Sequence, residues 1–115
     1  MVSLSEILTK IDGSADEMVR VMTEMIRIPA LAPVNGGDGE SKKADYLQSE
    51  LVGFDSIIRV DVPDDIDPSV MRSNILAKKN GRKPGTVWII AHMDVVPAGD
   101  PEMWDNPPFE PVFKD

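Results

Sequence analysis

The apolar positions at the start of the chain fall into one stripe. Leu4, Leu8, Ile11, Ala15, Met18, Met22 and Met25 alternate by four and three residues, which keeps them on one face of an α-helix. Ser3 and Glu6 have the spacing of a capping box. One long amphipathic helix is therefore expected, ending before Pro29, which pushes Ile28 out of helical geometry. Gly13 lies off the stripe and costs about 1 kcal/mol relative to alanine in a helix. A second S-x-x-E, Ser14 to Glu17, keeps a break at that point open as an alternative. Because the three methionines lie on the stripe, they read as core residues.

The period changes further along. Residues 30–39, ALAPVNGGDG, read as a loop on their glycine and proline content. A second helix is expected from about Glu40 to Leu51, with Ala44, Leu47 and Leu51 on one side and Gly53 as a left-handed cap. In SIIRVDV, Ile58, Val60 and Val62 alternate with Arg59 and Asp61, the pattern of a half-buried strand. An acidic, proline-bearing loop follows, then a short strand NILAKK and a turn NGRKPG. TVWIIA, residues 86–91, is apolar without alternation, as a strand covered on both faces would be. Beyond it, Pro97, Pro101, Pro107, Pro108 and Pro111 argue against regular structure. Two helices and about three strands predict an α/β or α+β layered domain. A doubly covered strand needs helices on each side, and two helices are a thin supply, so the domain reads as unfinished.

Composition narrows the classes of function. Apolar residues make up 42% of the 115 and charged residues 28%, which suits a folded chain. Twelve basic residues against twenty acidic ones give a net charge of −8. Such a chain repels phosphate backbones and anionic lipid, so neither nucleic acid nor a membrane is an expected partner. No cysteine is present, which removes disulfides and thiolate metal sites. No apolar run approaches the roughly 20 residues of a membrane span. The N-terminus lacks the basic and apolar regions of a signal peptide. A cytoplasmic location is expected.

The single histidine, His92, closes the apolar run, and Asp94 follows two residues later. If extension continues, both side chains point the same way. Sites in open α/β sheets gather at the carboxyl ends of strands. A neutral imidazole binds zinc best when an acceptor holds its other N–H, and a nearby carboxylate could be that acceptor. Pro97 and Ala98–Gly99 would then turn the chain away. Beside this stands the plainer reading of a histidine that makes a structural hydrogen bond. H-x-D alone is a weak signal, and a metal site needs three or more ligands. The acidic stretch Asp61–Asp67 lacks the spacing and closing glutamate of a calcium loop and reads as a solvated turn.

The wording of the stretch is more specific than its composition. AHMDVVPAGDPEMW, followed by DNPPF, resembles the dinuclear zinc amidohydrolase and exopeptidase family of acetylornithine deacetylase, succinyl-diaminopimelate desuccinylase, aminoacylase and the glutamate carboxypeptidases. His92, Asp94, Val96 and Pro97 match the family's H-x-D-x-V-P at the end of a central strand. Trp104, Pro108 and Phe109 match its following tryptophan and Pro-Phe. Upstream, IRIPA, KKADYLQSEL and RSNILAK fall in the family's order, so the resemblance covers essentially the whole chain.

The resemblance implies an incomplete three-layer zinc-exopeptidase-like fold. Residues 1–115 would be the N-terminal fragment of a metallohydrolase catalytic domain, without the smaller dimerisation or lid domain. It implies His92 as a ligand of one of two divalent metal ions, zinc or cobalt. It implies Asp94 as the catalytic-site residue that orients His92, while Trp104, Pro108 and Phe109 shape the loop. The bridging aspartate, the glutamate pair and the second histidine of the family have no counterpart here. The implied substrates are acyl-amino acids or short peptides, and the fragment alone is expected to be inert and to bind metal weakly. The alternative is a natural short protein that keeps the scaffold for binding, with self-association through an uncovered sheet edge.

Overall fold

Three helices and one two-stranded sheet make up a small α/β domain. The computed structural model of the chain describes residues 2–114. Helix α1 spans Leu4–Asp12, α2 spans Ala15–Arg27 and α3 spans Ser41–Glu50. Strands β1 (Ser56–Pro63) and β2 (Met71–Lys78) pair antiparallel, with Ile58 opposite Leu76 and Arg59 opposite Ile75.

The long first helix is interrupted. The capping box forms as expected: Ser3 Oγ accepts from the Glu6 backbone N–H, and the Glu6 carboxylate accepts from the Ser3 backbone N–H. Gly13 then ends α1, its N–H bonded to Thr9 O at 3.0 Å. The Ser14 hydroxyl donates back to Lys10 O at 2.9 Å instead of capping α2. A hydroxyl spent on the preceding turn competes with helix continuation, and together with Gly13 it divides the stripe.

The methionine stripe is not core. Among the described residues, no position of α1 or α2 is buried, and Met18 and Met22 are exposed. The fully buried apolar residues are Ala30 and Ala44, both small. The reason is coverage: α2 packs on α3, where the Arg20 guanidinium bonds Glu50 as well as Glu17 of its own helix. The other side of the stripe faces solvent.

The alternation in β1 appears, but with its faces exchanged. Ile58, Val60, Val62 and, on β2, Leu76 lie exposed, while Arg59 and Ser73 turn toward α3. The N-terminal turn of α3 is polar and offers partners for them. Ser41 Oγ and Ser73 Oγ are 3.0 Å apart, and Arg59 Nη2 donates to Ser73 Oγ at 2.9 Å. Arg59 also pairs with Asp45. Polar groups on both sides satisfied one another, leaving the apolar face of the sheet uncovered.

The expected third strand does not form. Residues 86–91 make no ladder, and Ile89 and Ile90 are 90% exposed. A strand exists only by pairing its backbone groups with a neighbour, and no element among the described residues lies alongside. The only bridge in this region is between Leu31 and Val95, parallel, with the Val95 N–H donating to Ala30 O at 3.0 Å. The result is a flat molecule of 49 × 40 × 19 Å. Its accessible surface is 9373 Å², against about 6,200 Å² for a compact monomer of this mass.

An ion network locks α3 to the sheet. Arg72 on β2 holds Glu40, which precedes α3, and Asp64, which follows β1. The Glu40 and Asp64 side chains are 5% and 7% exposed. Asp64 is fully engaged: Oδ1 accepts the N–H groups of Ile66 and Asp67 at 2.9 and 3.0 Å, and Oδ2 accepts from Arg72 at 2.9 Å. The acidic turn is therefore organised by its own backbone and one arginine.

Candidate metal arm around His92

The parallel bridge at Val95 pins the residues just before it. Ala30 O receives the Val95 N–H, and Leu31 O receives the Gly39 N–H at 2.9 Å. Segment 30–31 thus lies between residues 94–95 and the loop that leads into α3. His92 and Asp94 come together at this anchored point. His92 Nδ1 lies 2.9 Å from Asp94 O and 3.1 Å from Asp94 Oδ1.

Those two contacts determine the tautomer. A carbonyl oxygen and a carboxylate oxygen can only accept, so Nδ1 must carry the proton. In a neutral ring Nε2 then presents a lone pair. The imidazole side chain is 85% exposed, so that lone pair is open to solvent. This is the arrangement a metal-binding histidine needs: one nitrogen held by an acceptor, the other free.

Beyond Pro97 the chain folds back through Trp104. Its indole Nε1–H donates to Ala98 O at 2.9 Å, next to Gly99 in left-handed geometry at φ 76°. Asp100 caps the short 3₁₀ turn Pro101–Met103 by accepting the Glu102 N–H. Phe109 adopts a left-handed φ of 66°, rare for a bulky side chain. Trp104 therefore shapes the loop through a hydrogen bond. Among the described residues, no hydrogen bond joins Trp104 to His92.

His92 fits one ligand position of a metal, and Asp94 fits the supporting acceptor. Among the described residues, no group of three or more histidine, aspartate or glutamate side chains is placed to hold a metal ion. Sequence reading passed over Lys43 on α3, which is 4% exposed. Burial pushes its pKa down, and the Asp94 carboxylate pulls it part of the way back. The signal was available: Lys43 lies four residues before Leu47 and eight before Leu51, on the covered face of that helix.

No helix among the described residues is long and apolar enough to cross a membrane. Two curated relatives share most of the chain. An uncharacterized metallohydrolase of Methanocaldococcus jannaschii is 33% identical over 106 aligned residues, covering 87% of this chain and 26% of the relative. An uncharacterized metallohydrolase of Methanococcus maripaludis shows the same identity and coverage, again 33%, 87% and 26%. The chain thus spans about a quarter of the length of the curated relatives it matches. No family model matches it, and no solved structure does.

Proposed function

We propose, for a chain whose relatives are named metallohydrolases, that it forms the N-terminal part of a metal-dependent hydrolase in which His92 is a metal ligand. The homology supports a metallohydrolase family and, with it, a divalent metal cofactor. The observation that carries the residue assignment is the His92–Asp94 pair, with Nδ1 held and Nε2 open. On this reading the reaction is hydrolysis of an amide or peptide bond in an acyl-amino acid or short peptide. A dinuclear zinc or cobalt centre, when bound, would polarise the scissile carbonyl and lower the pKa of water. His92 would hold one ion, its Nε2 being the nitrogen left open. Asp94 fixes the ring's tautomer and orientation from the other side. The Trp104 indole closes the loop that follows Pro97 by donating to Ala98 O. The remaining ligands and the general base come from polypeptide equivalent to the rest of the relatives' length.

The test is a zinc titration of the 115-residue chain followed through the ring nitrogens of His92, its only histidine. Zinc should perturb Nε2 selectively and weakly, with no hydrolysis of N-acyl-amino acids. A ring that does not respond at saturating zinc, or that responds first at Nδ1, overturns the assignment.

The open apolar surfaces favour a second reading, a scaffold kept for association. The accessible surface exceeds that of a compact monomer by about 3,000 Å², whereas a standard interface takes about 800 Å² per partner. Exposed apolar side chains include Val87, Trp88, Ile89 and Ile90 and the strand residues Ile58, Val60 and Leu76. On this reading the chain sediments as a dimer or larger species at micromolar concentration. A monomer under those conditions removes it.

A further inference from the structure

Asparagine followed by glycine occurs twice in the chain, at Asn35–Gly36 and at Asn80–Gly81. Asparagine is a chemically labile residue, and glycine is the neighbour that most exposes it. The backbone nitrogen that follows can attack the asparagine Cγ, and a glycine has no Cβ to obstruct that approach. The other two asparagines lack this opening. Asn106 precedes Pro107, which has no N–H. Asn74 lies within β2, precedes the branched Ile75 and donates its side-chain amide to Val60 O at 3.4 Å.

Both Asn–Gly pairs are exposed, so water reaches each of them. Their backbones differ. Asn35 ends a 3₁₀ turn, Pro33–Asn35, and its N–H is bonded to Ala32 O at 2.8 Å. The Gly36 N–H, the group that would attack, donates to Pro33 O at 2.9 Å, and the Gly37 N–H closes the turn onto Ala32 O at 3.2 Å. Swinging the Gly36 nitrogen onto Asn35 Cγ would break this set. Asn80 stands just after β2 and is held only through its own N–H, which donates to Asp55 Oδ2 at 2.6 Å. Among the described residues, neither the Asn80 side-chain amide nor the Gly81 N–H has a hydrogen-bond partner. The attacking group and its target are both unengaged.

We propose that Asn80–Gly81 is a site of spontaneous covalent modification in the folded protein, whereas Asn35–Gly36 is protected by its turn. The Gly81 nitrogen gives its proton to solvent base and bonds to Asn80 Cγ. The Cγ–Nδ2 bond breaks, and the side-chain nitrogen leaves as ammonia. Water then opens the cyclic imide at either carbonyl, giving aspartate or isoaspartate at position 80, with nothing oxidised or reduced. Each product adds a negative charge to a residue whose N–H is bonded to the Asp55 carboxylate, in a turn that also carries Lys78, Lys79, Arg82 and Lys83. Isoaspartate further adds a methylene to the backbone that leads from β2 to residues 86–91. The reaction runs whether or not His92 binds a metal.

The test ages the folded protein at mildly alkaline pH and then digests it with a glutamate-specific protease, which separates Asn35 from Asn80 by cutting at Glu40 and Glu50. Mass spectrometry reads the conversion of amide to acid at each position and distinguishes aspartate from isoaspartate. Conversion should run several times faster at Asn80 than at Asn35 and should yield both products. In urea the two rates should draw together, because the turn around Asn35 is gone. Gly81→Ala should slow conversion at Asn80 and leave Asn35 unchanged. The fold tolerates that methyl group, which meets only Lys83 O at 3.9 Å. Equal rates in the folded protein, or rates that stay apart in urea, overturn the protection by the turn. An inert Asn80, aspartate as the sole product, or a rate unmoved by Gly81→Ala overturns the site itself.

Discussion

Replacing Arg72 by alanine should detach α3 from the sheet. The guanidinium joins Glu40, before the helix, to Asp64, after β1, so one substitution strands two carboxylates that are 5% and 7% exposed. Glu40 and Asp64 together hold the Arg72 guanidinium above its ordinary pKa, with Glu40 the stronger influence. Removing one partner of a buried ion pair costs 3–5 kcal/mol when both are fully enclosed. Arg72 is 31% exposed, so the low end applies, about 3 kcal/mol. That is roughly a hundredfold in the folding equilibrium, since 1.4 kcal/mol is a factor of ten. Urea denaturation followed by helical circular dichroism should show the midpoint fall sharply. Arg72→Lys should recover only part of it, because an ammonium cannot reproduce the fork. A midpoint unmoved in Arg72→Ala would show that the network is incidental.

The same network sets the response to acid. Asp64 has a depressed pKa, caused first by the Asp67 and Ile66 backbone N–H groups and then by Arg72. A carboxylate whose folded pKa is depressed contributes stability above its unfolded value, near 3.9, and loses it as pH falls through the folded value. Helical signal should therefore hold at neutral pH and decline below about pH 4. In Arg72→Ala the decline should be shallower, because the arginine's share of the depression is gone.

The second large effect belongs to Asp94. In the protein that carries the remaining ligands, Asp94→Ala should weaken zinc binding by roughly 10–100-fold, the usual result of removing a ligand histidine's partner. The lower end is favoured, because the backbone carbonyl of residue 94 also faces Nδ1 and survives the substitution. His92→Ala, which removes the ligand, should lose more than Asp94→Ala. Competition against a chelating dye measures both. Equal affinity in Asp94→Ala and the unaltered protein would contradict the role given to the carboxylate.

How far the residues alone lead can be judged element by element. The capping box at Ser3, the end of the second helical stretch before Pro29 and the strand from Ser56 were legible, because each depends on neighbours within a few positions. The open face of β1 was not legible. Alternation separates Ile58, Val60 and Val62 from Arg59 and Asp61, but cannot say which set meets α3. The burial of Lys43 was missed because it depends on what α3 packs against, which no run of neighbouring residues states. The proximity of His92 and Asp94 was legible from H-x-D, since extended backbone places alternate side chains together. The protonation of Nδ1 needed the two measured acceptors.

By itself, the sequence determined the local states: where helices start, where proline stops them, and which short segments favour extension. It also carried the wording that marks the arm around His92. Tertiary structure alone decided what covers what. The stripe of α1 and α2 and the run at 86–91 are apolar enough to be buried, yet both lie open. Burial requires a partner surface, and pairing requires a neighbouring backbone. Such partners are properties of the assembled fold and cannot be read from the segment that needs them.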